Sequence, residues 1–496
     1  MKSPGIEGHW VVLVVVVPLL CSFLCFVLGR FLRRVPFYLA LGASGFASVA
    51  SLAVFLSVLQ HVPIRYFLGG WLPPWGIEYR VDGLNAFMLL LVSGVSLLVT
   101  IYSKDNVPAE IKGEVTSFYT VYILLVTGLL GIVVTGDVFN LYVFLEISSL
   151  AAYTLIAAAE GRALLASFNY VIMGTVAACF YLLGVGYLYI MTGSLNMADL
   201  ARLLPSLYHN PVVVIALAFF VVGLAIKVAL FPLHTWLPDA YAYAPSTTSV
   251  IIASLMGKVG LYVLIRLLFS LFDPRYLLQD LPVLPMLSWL GAMAIIMGSL
   301  FALSQLDFKR MLAYSSVAQI GYVVLGMGMA NSIALTGALL HVINHAVMKG
   351  GLFMAAGAII QTTGKRQITD FHYLHRRMPF TMAALLLGAL SMVGIPPTCG
   401  FFSKWYLILG AVKKGNLLFV GVILISSLLN ALYFFRVLEY VFFKPLSEGS
   451  IKRREAPTTM LVPTLVMGGA VLLLGLGNQW VVSIVLKRAL EVISWR

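Results

Sequence analysis

The sequence predicts an all-α integral membrane protein of about fourteen transmembrane helices, two of them broken. Three observations predict it. The chain is 61% hydrophobic and only 10% charged, with a mean hydropathy of +0.99, outside the range of soluble domains. Apolar runs of about 20 residues, the length that crosses a bilayer, recur from one end of the chain to the other. The 43 glycines and 21 prolines suit helices that pack closely and in places break.

In chain order the runs cover 10–29, 36–58, 83–102, 115–134, 138–158, 166–191, 211–231 (continuing to 241) and 246–270. They go on through 286–304, 312–330, 333–360, 380–412 with an interruption, 416–443 and 457–476. The first is read as a retained span. It is long, has no small-residue cleavage site and is followed by Arg30, Arg33 and Arg34, unlike a signal peptide. Alternate loops carry sixteen lysines and arginines on one side against ten on the other, which places both termini on the outer side. In the last stretch, 477–496, Trp480, Val481, Ile484, Val485, Leu490 and Ile493 alternate with Lys487, Arg488 and Glu491. That stretch is too short and mixed to span and reads as an interfacial helix.

Several chemistries are excluded. Cys21, Cys25, Cys179 and Cys399 all fall in apolar runs and form neither a CxxC nor a Cys/His set, so no disulfide framework, iron–sulfur site or other cofactor site is indicated. No motif for flavin, quinone or nucleotide binding is present, so any redox chemistry belongs to partners. The net charge of +13 is accounted for by loop lysines and arginines rather than by a nucleic-acid surface.

Against this apolar background, Glu146, Lys227, Lys258, Lys349 and Lys404 stand inside predicted spans, with His341 and His345. Insertion scales put each charged group at roughly 2.5–3.5 kcal/mol at bilayer depth, so five cost on the order of 10 kcal/mol unless partnered or wetted. Moving protons or cations across the membrane is the most economical reason to keep them. Both broken spans lie beside a lysine. Pro232 interrupts 223–246 near Lys227, and Pro396 and Pro397 interrupt 391–405 before Lys404. A matched pair of broken helices points to an inverted repeat with an ion path at midplane, whereas a single kink merely shapes packing.

His341, His345 and Lys349 recur every four residues and share a helix face, drifting only about 40° per step. Histidine titrates near neutrality, so such a row can relay protons. The rival zinc reading lacks the HExxH glutamate and a third ligand, and no metal is expected. Lys258, Tyr262 and Arg266 form a second face with the same spacing. Lys258 is deep, while Arg266, close to a helix end, is expected to snorkel. Accessory candidates are Asp137, which can equally cap a helix, His234 in the first break, and Glu439, which with Arg436 reads as an i, i+3 pair of structural or functional use.

The stretches YLYIMTGSLNMADL (187–200), PLHTWLPDAYAYAP (232–245), SLMGKVGLY (254–262), DFKRMLAYSSVAQIGY (307–322), HVINHAVMKGGLF (341–353) and GIPPTCGFFSKW (394–405) resemble the antiporter-like subunits of complex I and its relatives. The resemblance covers most of residues 80–445 and, as several long motifs in one order, is highly specific. It implies fourteen helices. Helices 1–3 fill 1–110, two inverted five-helix repeats fill 111–272 and 273–445, and 446–496 holds the last span and the interfacial helix. It also implies that Glu146 and Lys227 are the family's glutamate–lysine pair, Lys258 the connecting lysine, His341, His345 and Lys349 the central relay, and Lys404 the exit-side group. Length and the lysine at 404 look most like the D subunit of Mrp-type Na⁺/H⁺ antiporters. Subunits of membrane-bound hydrogenases, sulfur reductases and complex I are similar too. The implied partners are a second antiporter-like subunit, small membrane subunits, lipid, H⁺ and Na⁺, in a cell membrane, with no nucleic acid. A self-sufficient secondary transporter and a scaffold with decayed sites are the other classes, and the intact lysine series argues against the scaffold.

Overall fold

Short polar side chains start many of these helices. Asp82, Asp137, Asn196, Asn210, Asp307, Asn331 and Asn416 each accept a hydrogen bond from a backbone N–H of the turn that follows. They satisfy donors that lipid would leave bare. Asp137 is therefore a cap, holding Phe139 N at 2.9 Å and Asn140 N at 2.7 Å.

The computed structural model describes residues 6–60, 63–113, 115–444 and 453–491. The first part of the chain runs α1 (Ile6–Gly29), α2 (Val35–Gln60), β1 (Ile64–Phe67), β2 (Glu78–Val81), α3 (Gly83–Glu110), α4 (Val115–Val134), α5 (Val138–Ala157) and α6 (Arg162–Thr192). Then come α7 (Met197–Leu203), α8 (Pro211–Lys227), α9 (Leu237–Tyr243), α10 (Ser246–Ile251), α11 (Gly257–Arg266) and α12 (Tyr276–Gln279). The second part holds α13 (Val283–Leu303), α14 (Phe308–Gly328), α15 (Ser332–Thr363), α16 (Leu374–Arg377), α17 (Pro379–Val393), α18 (Cys399–Lys413), α19 (Leu417–Phe442) and α20 (Thr458–Leu476). The described C-terminal residues form α21 (Asn478–Trp480) and α22 (Lys487–Glu491).

All fourteen predicted spans are helical. Twelve described runs are long and apolar enough to cross a membrane, and the other two are the broken pairs α8/α9 and α17/α18. The run Ser246–Leu271 is continuous but contains two π turns, Ile252–Met256 and Leu267–Leu271, one on each side of α11. This run, α14 and α15 are buried on nearly every face, while α1, α6, α19 and α20 are largely open at the rim. A helix apolar all round belongs in the middle of such a bundle.

α13 and α14 form an antiparallel hairpin joined by residues 304–307. A Cβ at Gly298 would lie 2.6 Å from Ala318 N, and one at Gly321 2.7 Å from Gly291 O, so backbone meets backbone along the hairpin. Small residues make such close approach possible.

β1 and β2 pair antiparallel with Ile64 opposite Val81 and Arg65 opposite Arg80. This hairpin fills the stretch between the second and third spans, where the sequence predicts only a loop. Isolated bridges Tyr79–Thr135 and Asp137–Asn196 gather the loops at its end of the bundle, and the Asp307–Gln367 bridge ties the opposite end. The expected interfacial helix is two short helices joined by a π turn at Val481–Leu486, with Ala489 buried and Trp480 exposed. Ile493 of that expectation lies outside the described residues.

Candidate functional site: a row of buried ionisable groups

Each break leaves a half-helix C-terminus beside a lysine. α8 stops at Lys227, where Val228 bonds back to Leu224 and Ala229 takes a positive φ of 56°. Lys227 Nζ donates to Glu146 Oε1 at 3.1 Å and to Ser149 Oγ at 2.7 Å, both on α5. The lysine side chain is 6% exposed and the glutamate 24%, so the pair spans from the interior to the outer face of α5. There Val143 and Leu150 are exposed on either side of Glu146.

α17 stops at Val393 because Gly394 turns left-handed at φ 95° ahead of Pro396 and Pro397. The freed carbonyls take up the charge of Lys404. Its Nζ donates to Met392 O at 2.9 Å, Val393 O at 3.0 Å and Ser427 Oγ at 3.1 Å, and lies 5.2 Å from the Tyr322 ring centroid. A half-helix C-terminus carries partial negative charge, which suits an ammonium.

Between the breaks, α15 presents His341, His345 and Lys349, all fully buried. His341 Nδ1 lies 2.9 Å from Ser403 Oγ and Nε2 lies 2.8 Å from Gln319 Oε1. The Tyr322 ring is 5.4 Å away and the His345 ring 6.0 Å. Both ring nitrogens of His345 are buried without a hydrogen-bond partner among the described residues. Lys349 Nζ donates to Leu312 O at 2.6 Å and to Ser315 Oγ. Lys258 donates to Ala253 O, five residues back inside the first π turn, and so caps the distortion that precedes it. It lies within coulombic range of His341, His345 and Lys349. The structure thus places Lys404, Tyr322, His341 and His345 in contact one after another, with Lys349 one turn further along α15, and pairs Glu146 with Lys227 in a second group. Packing of α8 against α11, where a Cβ at Gly260 would meet Val228 at 2.8 Å, brings the two groups onto neighbouring helices.

Three expectations change. Arg266 does not snorkel. It is buried and pairs with Asp82 and Asn85 Oδ1 of α3, donating also to Tyr262 Oη at 3.3 Å. Glu439 does not pair with Arg436; it pairs with Lys444 at 3.4 Å, while Arg436 donates to the carbonyls of Leu303 and Gln305. Lys309, one of the sixteen cations counted in loops, is buried in the first turn of α14 with Nζ 2.8 Å from Ala244 O. His234 packs in the first break against Phe231, Phe301 and Tyr314, away from the succession just described.

Residue types and spacing missed Ser149, Gln319, Ser403 and Ser427, which hold the ionisable groups from other helices. Gln319 carries a further feature: its Nε2 is buried without a hydrogen-bond partner among the described residues, so a half-turn of the amide would exchange acceptor for donor toward His341.

These helices and breaks define a multi-pass membrane protein. Residues 135–430 match the family described as NADH:quinone oxidoreductase/Mrp antiporter, transmembrane, and residues 74–105 match the N-terminus of complex I chain 5. The chain belongs to this family of antiporter-like membrane subunits. NADH-quinone oxidoreductase subunit N of Desulforudis audaxviator (strain MP104C) is 47% identical over 509 residues, covering 99% of each chain. A Staphylococcus aureus chain named antiporter subunit mnhD2 is 32% identical over 432 residues, covering 86% of this chain and 85% of its own. Among solved structures, a chain of the membrane-bound sulfane sulfur reductase, an archaeal respiratory membrane complex, superposes with a TM-score of 0.90 at 30% identity, covering 98% of each.

Proposed function

We propose that this chain is the proton-translocating subunit of a multisubunit membrane complex and that protons pass along Glu146, Lys227, Lys258, Lys349, His345, His341 and Lys404. The observation that carries the reading is the succession of fully buried basic groups on α15, linked to Lys404 through Tyr322 and Ser403. Buried cations without carboxylate partners are retained against a solvation penalty, and passing protons accounts for them. Glu146 and Lys227 form the switch. A nearby carboxylate keeps the lysine charged, and neutralising or withdrawing it favours release toward Lys258. In this reading 111–272 and 273–445 are two inverted five-helix repeats, each contributing one break, and both termini lie on the outer side of a cell membrane.

The neighbours would be a second antiporter-like subunit and smaller membrane subunits. Lys404 and the chain length favour a Mrp D-like place in a cation/proton antiporter. The 47% identity to a subunit of a quinone oxidoreductase, against 32% to an antiporter subunit, favours a place in a respiratory redox complex. Purifying the chain with its native neighbours separates the two, since only the second assembly brings redox centres.

The test of the relay is the double change Glu146→Gln with Lys227→Met, which removes both charges of the pair. A structural ion pair replaced by neutral groups leaves a folded complex that still transports. The switch requires a folded complex with no proton flux in vesicles, and retained flux overturns the assignment.

A further inference from the structure

At the end of the bundle that carries the β-hairpin, a cavity of about 390 Å³ opens among Glu78, Arg80, Asp82, Thr135 and Asp273, with Tyr262 and Arg266 in its wall. Three of its charged lining residues are buried: Glu78, Asp82 and Arg266 are each more than nine-tenths inaccessible, while Arg80 and Asp273 are partly exposed. Glu78 Oε1 lies 3.6 Å from Arg65 Nε, and Arg80 Nε is buried there without a hydrogen-bond partner among the described residues. A space of this size with such groups suits water. Outside the spans, burial and then repulsion from Arg65 pull the Arg80 guanidinium below its usual value.

The floor of the cavity is one hydrogen-bonded cluster. Asn85 Nδ2 and Arg266 Nε both donate to Tyr262 Oη, at 2.8 and 3.3 Å, and Tyr262 donates onward to Val133 O at 3.1 Å. Tyr262 lies four residues from Lys258 on the same helix face, about 6 Å along the axis. The segment that bears Lys258, Tyr262 and Arg266 is α11, and it is bounded by π turns at both ends. Such turns concentrate at functional sites. Anchoring the end of α3 would account for the Arg266–Asp82 pair alone. It leaves unexplained the charged cavity above the pair and the two π turns beside it.

We propose that this cavity is a second proton portal, leading from the hairpin end of the bundle to Lys258 by way of Tyr262, with the Arg266–Asp82 pair as its gate. The proposal rests on the relay reading above. A fixed guanidinium in a narrow polar path raises the barrier to a proton, so the paired arrangement is the closed form. When Arg266 swings away, the Tyr262 hydroxyl gives its proton to the Asp82 carboxylate and takes one from the Lys258 ammonium through intervening water. The phenol is regenerated, leaving a neutral lysine and a protonated aspartate at the mouth.

The test uses the intact complex in vesicles, with Cys21, Cys25, Cys179 and Cys399 replaced and a single cysteine introduced as Ala201→Cys on the cavity wall. A cationic methanethiosulfonate reagent applied from water is expected to modify it and to lower proton flux at least about fivefold, reversed by reduction, because a fixed charge now sits in the path. Tyr262→Phe, which keeps the ring, is expected to lower flux without loss of assembly. Failure of the reagent to reach the cysteine, unchanged flux after complete modification, or unchanged flux in Tyr262→Phe each overturns the portal. Lys349→Ala is measured in parallel. If it abolishes flux while the cavity changes do nothing, the relay stands and only the portal falls; if flux survives Lys349→Ala, the relay itself falls.

Discussion

His341 is a buried imidazole whose two nitrogens meet groups from two other helices, Gln319 on α14 and Ser403 on α18. In the proposed relay, its role depends on those partners accepting either protonation state. Ser403 can give or take a hydrogen bond, and Gln319 can turn over. Gln319→Leu keeps the volume roughly but leaves His341 Nε2 unpartnered, a loss of about 1–3 kcal/mol for a buried polar group. If that loss falls on the charged imidazole during transfer, flux drops about tenfold or more, since 1.4 kcal/mol is a factor of ten. Flux and assembly measured together decide it. An assembled Gln319→Leu complex with normal flux would make the glutamine a core filler. Nothing in the sequence revealed this role. The histidine row was legible because its members share one helix and a period of four, whereas Gln319 reaches it only through packing.

At the scale of elements, the α13/α14 hairpin is held by backbone contact rather than by side chains. Gly298→Ala places a Cβ 2.6 Å from Ala318 N, where neither backbone can yield cheaply, so about 1–3 kcal/mol of stability should be lost. Gly186→Ala on α6 meets nothing within 4 Å and should be neutral or slightly stabilising. Thermal inactivation of the assembled complex compares the two, and equal melting would show that the hairpin tolerates separation. Spans and breaks were legible at this scale because length, apolarity and proline are local signals. The β-hairpin, the π turns and the Arg266–Asp82 pair were not. Partners 184 residues apart leave no periodic trace, and an arginine near the end of an apolar run looks like a snorkelling one.

Across the whole molecule, the ionisable groups run inward from one open flank. Glu146 reaches the surface of α5 between exposed Val143 and Leu150, and the neighbouring α6 exposes Leu164, Leu165 and Phe168. A carboxylate on an apolar rim is poorly placed against lipid and well placed against another subunit. The chain alone in vesicles is therefore expected to carry no proton flux above background, and the same chain with its neighbours to carry it. Flux from the isolated chain would make it a self-sufficient transporter and remove the need for a partner to set Glu146.

The two half-helix ends differ in a way that gives the row a sense. Lys227 faces an acid whose charge can be cancelled by one proton, whereas Lys404 faces two peptide carbonyls and a hydroxyl, whose polarity no proton at physiological pH alters. One terminus therefore has an adjustable potential and the other a constant one, as in a circuit with a variable source and a fixed load. A carboxyl-directed reagent can silence the first terminus and has nothing to react with at the second. In the proposed relay, signals should enter where the potential can be set, and protons should leave where it cannot.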